Sequence, residues 1–506
     1  MLRPGSLPPT GRWASLLALA SGMLLPFAFA PFEIWPLAIL PPGLLLWLWQ
    51  GQTPRRAAWL GLLFGLGLYS VGISWVYVSL HHYGHAPVAF AALATLLLIL
   101  VMALYPALAG YLLARWAPRP GPVHWLLAAP ALWALLEWVR SWLFTGFPWL
   151  ALGYSQIDSP LGGLAPSLGV FGVSWAVMVS AGLLLLLIQS NGRGRLVWGG
   201  SAVVLWAAAW ALGQAEWTEP AGDRLRISLV QGNIAQDQKF QPGELARTLG
   251  LYLDLSRQVA ANSAVIIWPE TAIPIFYQDA QEFIDYVQAE ARRTGVDFLI
   301  GVPSGSWDTG VFHNSIVSLG RSPGFYHKHR LLPFGEYLPA RFVFNFFHRF
   351  VDIPMADFTP GRADQALLQV AGYPVGASIC FEAVFGSEIH LSLPEASFLV
   401  NVSNDAWFGD SLAPHQHLQI ARMRARESER YMARATNTGI SAVIDARGRV
   451  MTRSGLFRTE VLPGEVQPRR GATLYARSGD GLTIALLAAL LGLAMVRRPQ
   501  TGYIRL

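Results

Sequence analysis

The feature that most constrains this chain is a long stretch without charge, since residues 57–114 contain no Asp, Glu, Lys or Arg. A bilayer accepts one helix for every ~20 apolar residues, so the stretch is long enough for two crossings. The whole chain is similarly apolar, with 53% hydrophobic and only 13% charged residues. That balance is too apolar for one soluble globule. The sequence therefore predicts a membrane protein.

Apolar segments recur along the chain and predict a multi-pass α-helical membrane bundle of about eight spans. The predicted spans lie roughly at residues 13–30, 34–50, 57–80, 86–114, 123–140, 163–189, 195–213 and 481–496. Residues 222–478 have ordinary soluble composition and hold most of the charge. We therefore predict three regions: a transmembrane domain with seven spans over 1–214, a soluble domain over 215–478, and a last span with a cytoplasmic tail over 479–506.

Arginine clusters orient these spans. Two arginines precede the first span and pairs follow the second, fourth, sixth and eighth, whereas the alternate loops carry almost none besides Arg140. Because basic loops stay in the cytoplasm, seven crossings place residues 214–480 on the extracytoplasmic side. A signal peptide cleaved after Ala30 is the alternative for the first span, although Pro31 and the second apolar segment argue against it. The clustered residues are Arg3, Arg12, Arg55, Arg56, Arg115, Arg119, Arg193, Arg195, Arg497 and Arg498.

Within the soluble segment, short apolar strands alternate with amphipathic helices, which is typical of a layered α/β domain. Helical patterns cover 243–261, 279–294 and 413–435, and we expect the arginines from Arg422 to Arg434 on a solvated face of the last helix. The predicted strands are 225–230, 264–268, 297–302, 314–319, 375–380, 398–402 and 440–444.

Cys380 is the only cysteine of the chain, so it cannot form an intramolecular disulfide. It ends an apolar run that begins at Val375, and the run resembles a buried strand that leads into a helix. Taken alone, such a cysteine is more often an inert core residue. The alternative is a reactive thiol, whose pKa a helix N-terminus and a nearby ammonium would lower.

Two other residues have similar positions in the sequence. Glu270 follows a predicted strand, and the preceding Pro269 cannot extend that strand and so turns the chain. Only two of the 37 basic residues are lysine, Lys239 and Lys328. This bias indicates that these two positions need a compact charge with an adjustable pKa, which arginine cannot supply. Each residue alone fits a solvated turn or strand end. Together, a carboxylate, an ammonium and a thiol at strand ends supply a base, a charge stabiliser and a nucleophile.

The segments 268–270 (Trp-Pro-Glu), 328–336 and 380–382 (Cys-Phe-Glu) resemble, in this order, the Glu-Lys-Cys triad of the nitrilase, or carbon-nitrogen hydrolase, superfamily. With the membrane half, the chain resembles a bacterial family of membrane-bound acyltransferases that modify lipoproteins. The resemblance covers nearly the whole chain and implies a nitrilase-like αββα sandwich facing the periplasm from the inner membrane. Further matching segments are 147–149, 153–156, 230–234, 403–409 and 436–440.

The resemblance implies a ping-pong acyl transfer that needs no cofactor and no metal. Cys380 would attack an ester of a phospholipid, typically phosphatidylethanolamine, and would carry the acyl chain as a thioester. The free α-amine of an apolipoprotein's N-terminal diacylglyceryl-cysteine would then accept the chain. Glu270 would accept the protons of the thiol and the amine. Lys328 and the backbone N–H of Phe381 would stabilise the oxyanion.

Supporting and substrate-binding roles also follow from the resemblance. Glu336 would hold Lys328 or the leaving group, and Glu382 would shape the pocket near the thiol. Phe240 and Phe381 stand where the family has Trp and Tyr, so each keeps an aromatic face without a polar group. The full set of supporting residues is Phe240, Glu336, Phe381, Glu382, Asn404 and Trp407.

Residues 341–350 are unusually aromatic for a surface loop. We predict that they form a mobile arm at the bilayer surface that gates lipid entry. The alternative is simple packing against the membrane helices, because aromatic belts are common at membrane interfaces.

Two other functions fit parts of the sequence. A membrane-tethered nitrilase-type hydrolase would share the triad but pass the acyl group to water, and it would need one anchor rather than many spans. A transporter or lipid-binding scaffold is disfavoured by the intact triad and by the scarcity of charge inside the spans. His81, His82 and His85 have no carboxylate or thiol nearby, so no metal site is predicted. We expect a monomer in the bilayer, and no basic tract with stacking aromatics indicates a nucleic-acid partner.

Overall fold

The computed structural model describes residues 8–9, 11–116, 121–241, 243–337 and 357–496, which fall into two compact units. The apolar unit takes its residues from 1–74, 94–215 and 480–506. The α/β unit takes its residues from 75–93 and 216–479, and so includes a short segment of the predicted membrane region. The predicted aromatic arm, residues 341–350, lies outside the described residues.

The apolar unit is built from helices, several of them joined by short 3-10 or π-helical turns. Its α-helices are Gly11–Leu24, Leu40–Leu48, Pro54–Gly72, most of Val88–Trp116, Ala129–Arg140, Ala165–Gln189, Arg193–Leu212 and Gly481–Val496. The short turns are Leu25–Ala28, Trp35–Ala38, His124–Ala128, Leu143–Thr145, Leu152–Gln156 and Pro160–Leu164.

Within the described residues, three helices are long and apolar enough to cross a membrane: Val88–Trp116, Pro160–Gln189 and Arg193–Leu212. The number becomes four if Pro54–Gly72 and Trp75–Tyr83 count as one bent span. The predicted membrane character is thus supported by several helices, while the count of about eight spans stays a prediction. The shorter apolar helices are Trp35–Leu48 and Gly481–Val496.

Small residues let the helices of the apolar unit approach closely. A Cβ atom on Gly22 would collide with the carbonyl oxygen of Phe64, and one on Gly61 would collide with that of Pro106. Close backbone approach through small residues is how helices pack where no water drives their association. These glycines therefore fix the spacing of neighbouring helices in this unit.

The described residues of the α/β unit form two six-stranded mixed sheets and a two-stranded sheet. The first large sheet has the order β13-β2-β3-β4-β5-β6, the second has the order β12-β11-β10-β9-β8-β7, and β1 pairs with β14. β2, β3 and β4 are parallel neighbours, as are β8, β9 and β10. The strands are β1 Thr218–Pro220, β2 Leu225–Gln231, β3 Val265–Ile267, β4 Asp297–Ser306, β5 Val311–Leu319, β6 Gly324–His327, β7 Leu368–Val370, β8 Tyr373–Ile379, β9 Phe398–Ser403, β10 Met432–Thr436, β11 Ala442–Ile444, β12 Val450–Arg453, β13 Glu460–Val466 and β14 Arg469–Gly471.

The two large sheets pack face to face between two layers of helices. Alternate residues of both sheets, such as Ile267 and Val400, form one buried core between them. The opposite residues of the first sheet pack with helices Glu244–Val259 and Gln281–Thr294. Those of the second sheet pack with residues of helices Gly386–His390, Leu412–Ser428 and Leu474–Ser478. The predicted layered α/β domain is confirmed, with the αββα order of layers.

The helix predicted over 413–435 is wrong beyond Ser428. Helix Leu412–Ser428 ends where Glu429 adopts a φ of +46°, and the chain continues as β10. The arginines there are not on a solvated face, since Arg424, Arg430 and Arg434 are buried. Their guanidinium groups find acceptors inside the fold, because the planar fork of donors suits carbonyl and carboxylate oxygens. Arg430, for example, donates to the carbonyl oxygens of Pro394, Ala396 and Gly471.

Candidate active site

The predicted site residues follow the carboxyl ends of strands. Cys380 comes directly after β8, Lys328 after β6 and Asn404 after β9, while Glu270 comes three residues after β3. Parallel strands bring their carboxyl ends to one edge of a sheet, where α/β folds collect functional groups. A hydrogen bond from the backbone N–H of Asn404 to Oε2 of Glu270 joins the ends of the two sheets, at 2.8 Å.

Glu270 is nearly buried and held by several donors. Its Oε1 accepts a hydrogen bond from Nδ2 of Asn314 at 2.8 Å, and Nζ of Lys328 lies 3.6 Å from the same oxygen. Nζ of Lys239 donates to the backbone carbonyl of Glu270 at 3.3 Å. Both lysines of the chain therefore lie beside this one carboxylate. Donors also contact both oxygens of the carboxylate, which fixes its orientation.

Lys328 is buried and forms its shortest ion pair with Glu336. Its Nζ lies 2.8 Å from Oε2 and 2.9 Å from Oε1 of Glu336. Burial lowers the pKa of Lys328, but the carboxylates of Glu336 and Glu270 outweigh it and leave the pKa above its ordinary value. Lys328 is therefore a fixed positive charge. Asn314 was not singled out from the sequence, yet its Nδ2 also donates to Glu336 at 2.8 Å and so bridges the two carboxylates.

Cys380 occupies a strained turn at the end of β8, with a φ of +49° that side chains with a Cβ rarely adopt. It begins a 3-10 helix of only five residues, Cys380–Val384. Burial and the charge of Glu270 raise the pKa of the thiol more than Lys328 lowers it. The prediction of a lowered pKa is therefore wrong, because a five-residue helix offers little dipole and desolvation dominates. The resting thiol is neutral and needs a base.

Glu382 is fully buried and ties the turn at the end of β8 to the loop after β6. Its Oε2 accepts from the backbone N–H of Ile379 at 2.6 Å. Its Oε1 accepts from the N–H groups of His329 and Arg330 at 2.7 and 3.0 Å, and from the hydroxyl of Tyr326 at 3.0 Å. Burial raises its pKa to about 7, against the attraction of the nearby lysine ammonium. This carboxylate shapes the site through the backbone.

The three aromatic residues predicted at the site, Phe240, Phe381 and Trp407, differ in how exposed they are. The ring of Phe381 is almost buried and packs edge-on against Phe385, with centroids 4.9 Å apart. Phe240 is 39% exposed and Trp407 is partly buried. In the described part of the chain, the side chains of Phe240 and Trp407 form no hydrogen bond with the carboxylates of the site. Among those same residues, no group of three His, Cys, Asp or Glu side chains could hold a metal ion.

Two family models match parts of this chain. The carbon-nitrogen hydrolase model matches residues 226–475, and the model of the apolipoprotein N-acyltransferase N-terminal domain matches residues 21–183. The α/β unit is thus a carbon-nitrogen hydrolase domain. A crystal structure of a CN-hydrolase superfamily protein from Xanthomonas campestris is 18% identical, with a TM-score of 0.37, and the match covers 54% of this chain and 97% of that one.

Relatives of full length share both halves. The apolipoprotein N-acyltransferase of Methylococcus capsulatus is 49% identical, over 97% of this chain and 97% of its own length. That of Nitrosomonas europaea is 44% identical, over 95% of this chain and 97% of its own length. The chain belongs to the apolipoprotein N-acyltransferase family.

Proposed function

We propose that this protein moves an acyl chain from a phospholipid, through a thioester on Cys380, to the α-amine of the N-terminal diacylglyceryl-cysteine of apolipoproteins. Family membership over nearly the full chain supports this function. The observation that carries the proposed mechanism is the placement of a neutral thiol beside the charges of Glu270 and Lys328. These three residues form the proposed catalytic triad.

In the first half-reaction, Sγ of Cys380 attacks the ester carbonyl of the phospholipid while Glu270 takes the thiol proton. Because the thiol is neutral at rest, attack and proton transfer occur together. The carbonyl electron pair moves onto oxygen, where Nζ of Lys328 and the N–H of Phe381 stabilise the negative charge. When the intermediate collapses, the C–O bond breaks and the alkoxide takes the proton from Glu270. The products are a lysophospholipid and the thioester.

In the second half-reaction, the lipoprotein α-amine attacks the thioester carbonyl and Glu270 accepts a proton from the amine. The same two donors stabilise the second oxyanion. Collapse breaks the C–S bond, and the thiolate recovers its proton from Glu270 as the amide forms. Glu336 keeps Lys328 charged and in place in both steps, since its two oxygens hold the ammonium at 2.8 and 2.9 Å.

The finer parts of the proposal concern the setting of the reaction. Phosphatidylethanolamine is the proposed donor, and the protein is a monomer with about eight spans in the bacterial inner membrane. The arginine clusters at one set of loops support a periplasmic α/β unit. Both substrates carry acyl chains, so a site attached to a membrane bundle meets them where they reside.

One experiment tests the function against its closest rival. Purified protein is incubated with phosphatidylethanolamine that carries a labelled acyl chain, and Cys380 is examined for a thioester by mass spectrometry. We expect the adduct in the wild type and none in Cys380→Ala. A diacylglyceryl peptide should then discharge the thioester far faster than water does. No adduct would overturn the acyltransfer mechanism, and an adduct discharged only by water would establish a hydrolase instead.

A further inference from the structure

A buried polar cluster lies behind Cys380, and the mechanism above does not use it. Its members, Ser403, Asp405, His417 and Arg434, are each no more than 2% exposed. His417 comes from helix Leu412–Ser428, Ser403 ends β9, Asp405 lies two residues beyond it, and Arg434 is the middle residue of β10. Burying polar side chains costs free energy unless each of them forms hydrogen bonds or ion pairs with its neighbours.

His417 contacts the backbone of the proposed nucleophile directly. Its Nε2 lies 3.2 Å from the carbonyl oxygen of Cys380. A carbonyl oxygen can only accept a hydrogen bond, so Nε2 must carry a proton and donate it. The other ring nitrogen, Nδ1, lies 3.2 Å from Oδ1 of Asp405 and 3.0 Å from Nη2 of Arg434. With the proton on Nε2, Nδ1 accepts from Nη2 of Arg434, so the arginine holds the imidazole from behind while its N–H points at the turn.

The groups behind His417 are themselves fixed. Nη2 of Arg434 forms an ion pair with Oδ2 of Asp405 at 2.8 Å, and Nη1 of Arg434 donates to Oδ1 of Asn401. The hydroxyl of Ser403 donates to Oδ1 of Asp405 at 2.7 Å. A ring anchored on a buried ion pair can hold a peptide group in a defined orientation, since each of its partners is locked by a further hydrogen bond.

The held carbonyl belongs to the same peptide unit as the proposed oxyanion donor. In a planar trans peptide, the C=O of Cys380 and the N–H of Phe381 point in opposite directions. When His417 fixes the carbonyl on one side, it also fixes the direction of the Phe381 N–H on the other. Cys380, the residue directly before this peptide group, has the strained φ of +49°, and such strain persists only where surrounding contacts hold it.

We propose that His417 is a positioning residue that orients the peptide between Cys380 and Phe381, and thereby sets the oxyanion donor, with Asp405 and Arg434 as its anchor. This inference rests on the proposed function only in assigning Phe381 N–H to an oxyanion. It requires no lipid, because acyl transfer from any ester to Cys380 passes through such an intermediate.

The test compares two variants of similar size and polarity. In His417→Gln, the amide nitrogen takes the place of Nε2 and can still donate to Cys380, whereas in His417→Asn it reaches only the position of Nδ1. The reaction is acylation of Cys380 by p-nitrophenyl acetate, followed as a burst of nitrophenol. Alkylation of the sole cysteine by iodoacetamide serves as the control, since it forms no oxyanion.

We expect the acylation rate at saturating ester to fall about 100-fold in His417→Asn, the usual loss when an oxyanion donor is removed. His417→Gln should recover most of that loss, with similar KM values in both variants. Alkylation should change far less than acylation. Equal acylation rates in the two variants, or acylation and alkylation slowed by the same factor, would overturn the inference. Because the ester is not a lipid, failure of phospholipid transfer in the wild type would count against the proposed function alone.

Discussion

At the scale of single residues, Asn314 is the least conspicuous member of the site and one of the most connected. Its Nδ2 donates to Glu270 and to Glu336, at 2.8 Å each. Two carboxylates share one lysine here, and the amide donates a hydrogen bond to an oxygen of each. Replacing Asn314 tests how much the site depends on this bridge.

We predict that Asn314→Leu slows thioester formation about tenfold or more, because a buried oxygen of Glu270 and one of Glu336 each lose a hydrogen-bond donor. The rate is measured with labelled phospholipid at saturating concentration. A wild-type rate in the folded variant would show that the site does not depend on this bridge.

The site residues that the sequence predicts are those that can be recognised by residue type and by order along the chain. Glu270 follows a predicted strand, Cys380 ends another and Lys328 is one of only two lysines, and the structure brings the three together. Asn314 opens a predicted strand and carries no charge, so nothing in the sequence distinguishes it. The direction in which the pKa of Cys380 shifts was not predictable either, because desolvation of the thiol depends on the whole surrounding fold.

Because of Lys239, the folding stability of the protein should depend on pH. Burial lowers its pKa to about 8 from the ordinary 10.5, with Glu270 opposing the shift. Between these two pH values the unfolded chain holds the proton more tightly than the folded one, so folding stability rises with pH. The melting temperature of the wild type, relative to Lys239→Met, should therefore rise from about pH 8 to 10.5. Parallel curves for the two proteins would contradict this assignment.

At the scale of elements, the predicted strands were confirmed but others were missed, and for one of these, β10, the cause is clear. β10 consists mostly of good helix formers (Met-Ala-Arg-Ala-Thr) and continues a helical pattern, so its local sequence favours a helix. The fold overrides that preference because acceptors from distant segments satisfy the buried guanidinium groups. Arg434, for instance, pairs with Asp405 of the loop after β9. Such contacts are distant in sequence and cannot be read from local periodicity.

The segment of the α/β unit that comes from residues 75–93 contacts the same region of the site. Nε1 of Trp75 donates to Oε1 of Gln416 at 3.2 Å, and its ring packs edge-on against Phe408, with centroids 5.0 Å apart. Phe408 in turn lies edge-on to His417, at 6.3 Å. A short element from the predicted membrane region thus supports the helix that carries His417.

We predict that Trp75→Ala lowers the melting temperature of the purified protein more than Trp75→Phe does. The alanine variant loses the indole hydrogen bond and the packing, a loss of about 3–5 kcal/mol for a buried aromatic, whereas the phenylalanine variant loses mainly the hydrogen bond, about 1 kcal/mol. The p-nitrophenyl acetate burst should slow in the same order, since Gln416 precedes His417. If the alanine variant were destabilised but kept the wild-type burst, the contact would stabilise the fold without influencing the site.

At the scale of the whole molecule, the sequence predicts the membrane character and the α/β domain but not the continuity of the helices. The span predicted at 34–50 is a 3-10 turn, Trp35–Ala38, followed by the nine-residue helix Leu40–Leu48. Prolines at the start of both elements remove backbone donors and divide the apolar run. Apolar length alone therefore overestimates how many uninterrupted helices are long enough to cross, while arginine placement still predicts an orientation.

The orientation can be tested because Cys380 is the only cysteine. In a Cys380→Ala background, single cysteines are placed at Asp308, exposed in the turn between β4 and β5, and at Asn191, exposed between helices Ala165–Gln189 and Arg193–Leu212. A membrane-impermeant maleimide applied to spheroplasts should label Asp308→Cys and leave Asn191→Cys unlabelled, since the arginines after Asn191 keep that loop in the cytoplasm. Detergent lysis should make both react equally. Labelling of Asn191→Cys alone in intact spheroplasts would place the α/β unit, and the proposed site on Cys380, on the cytoplasmic side.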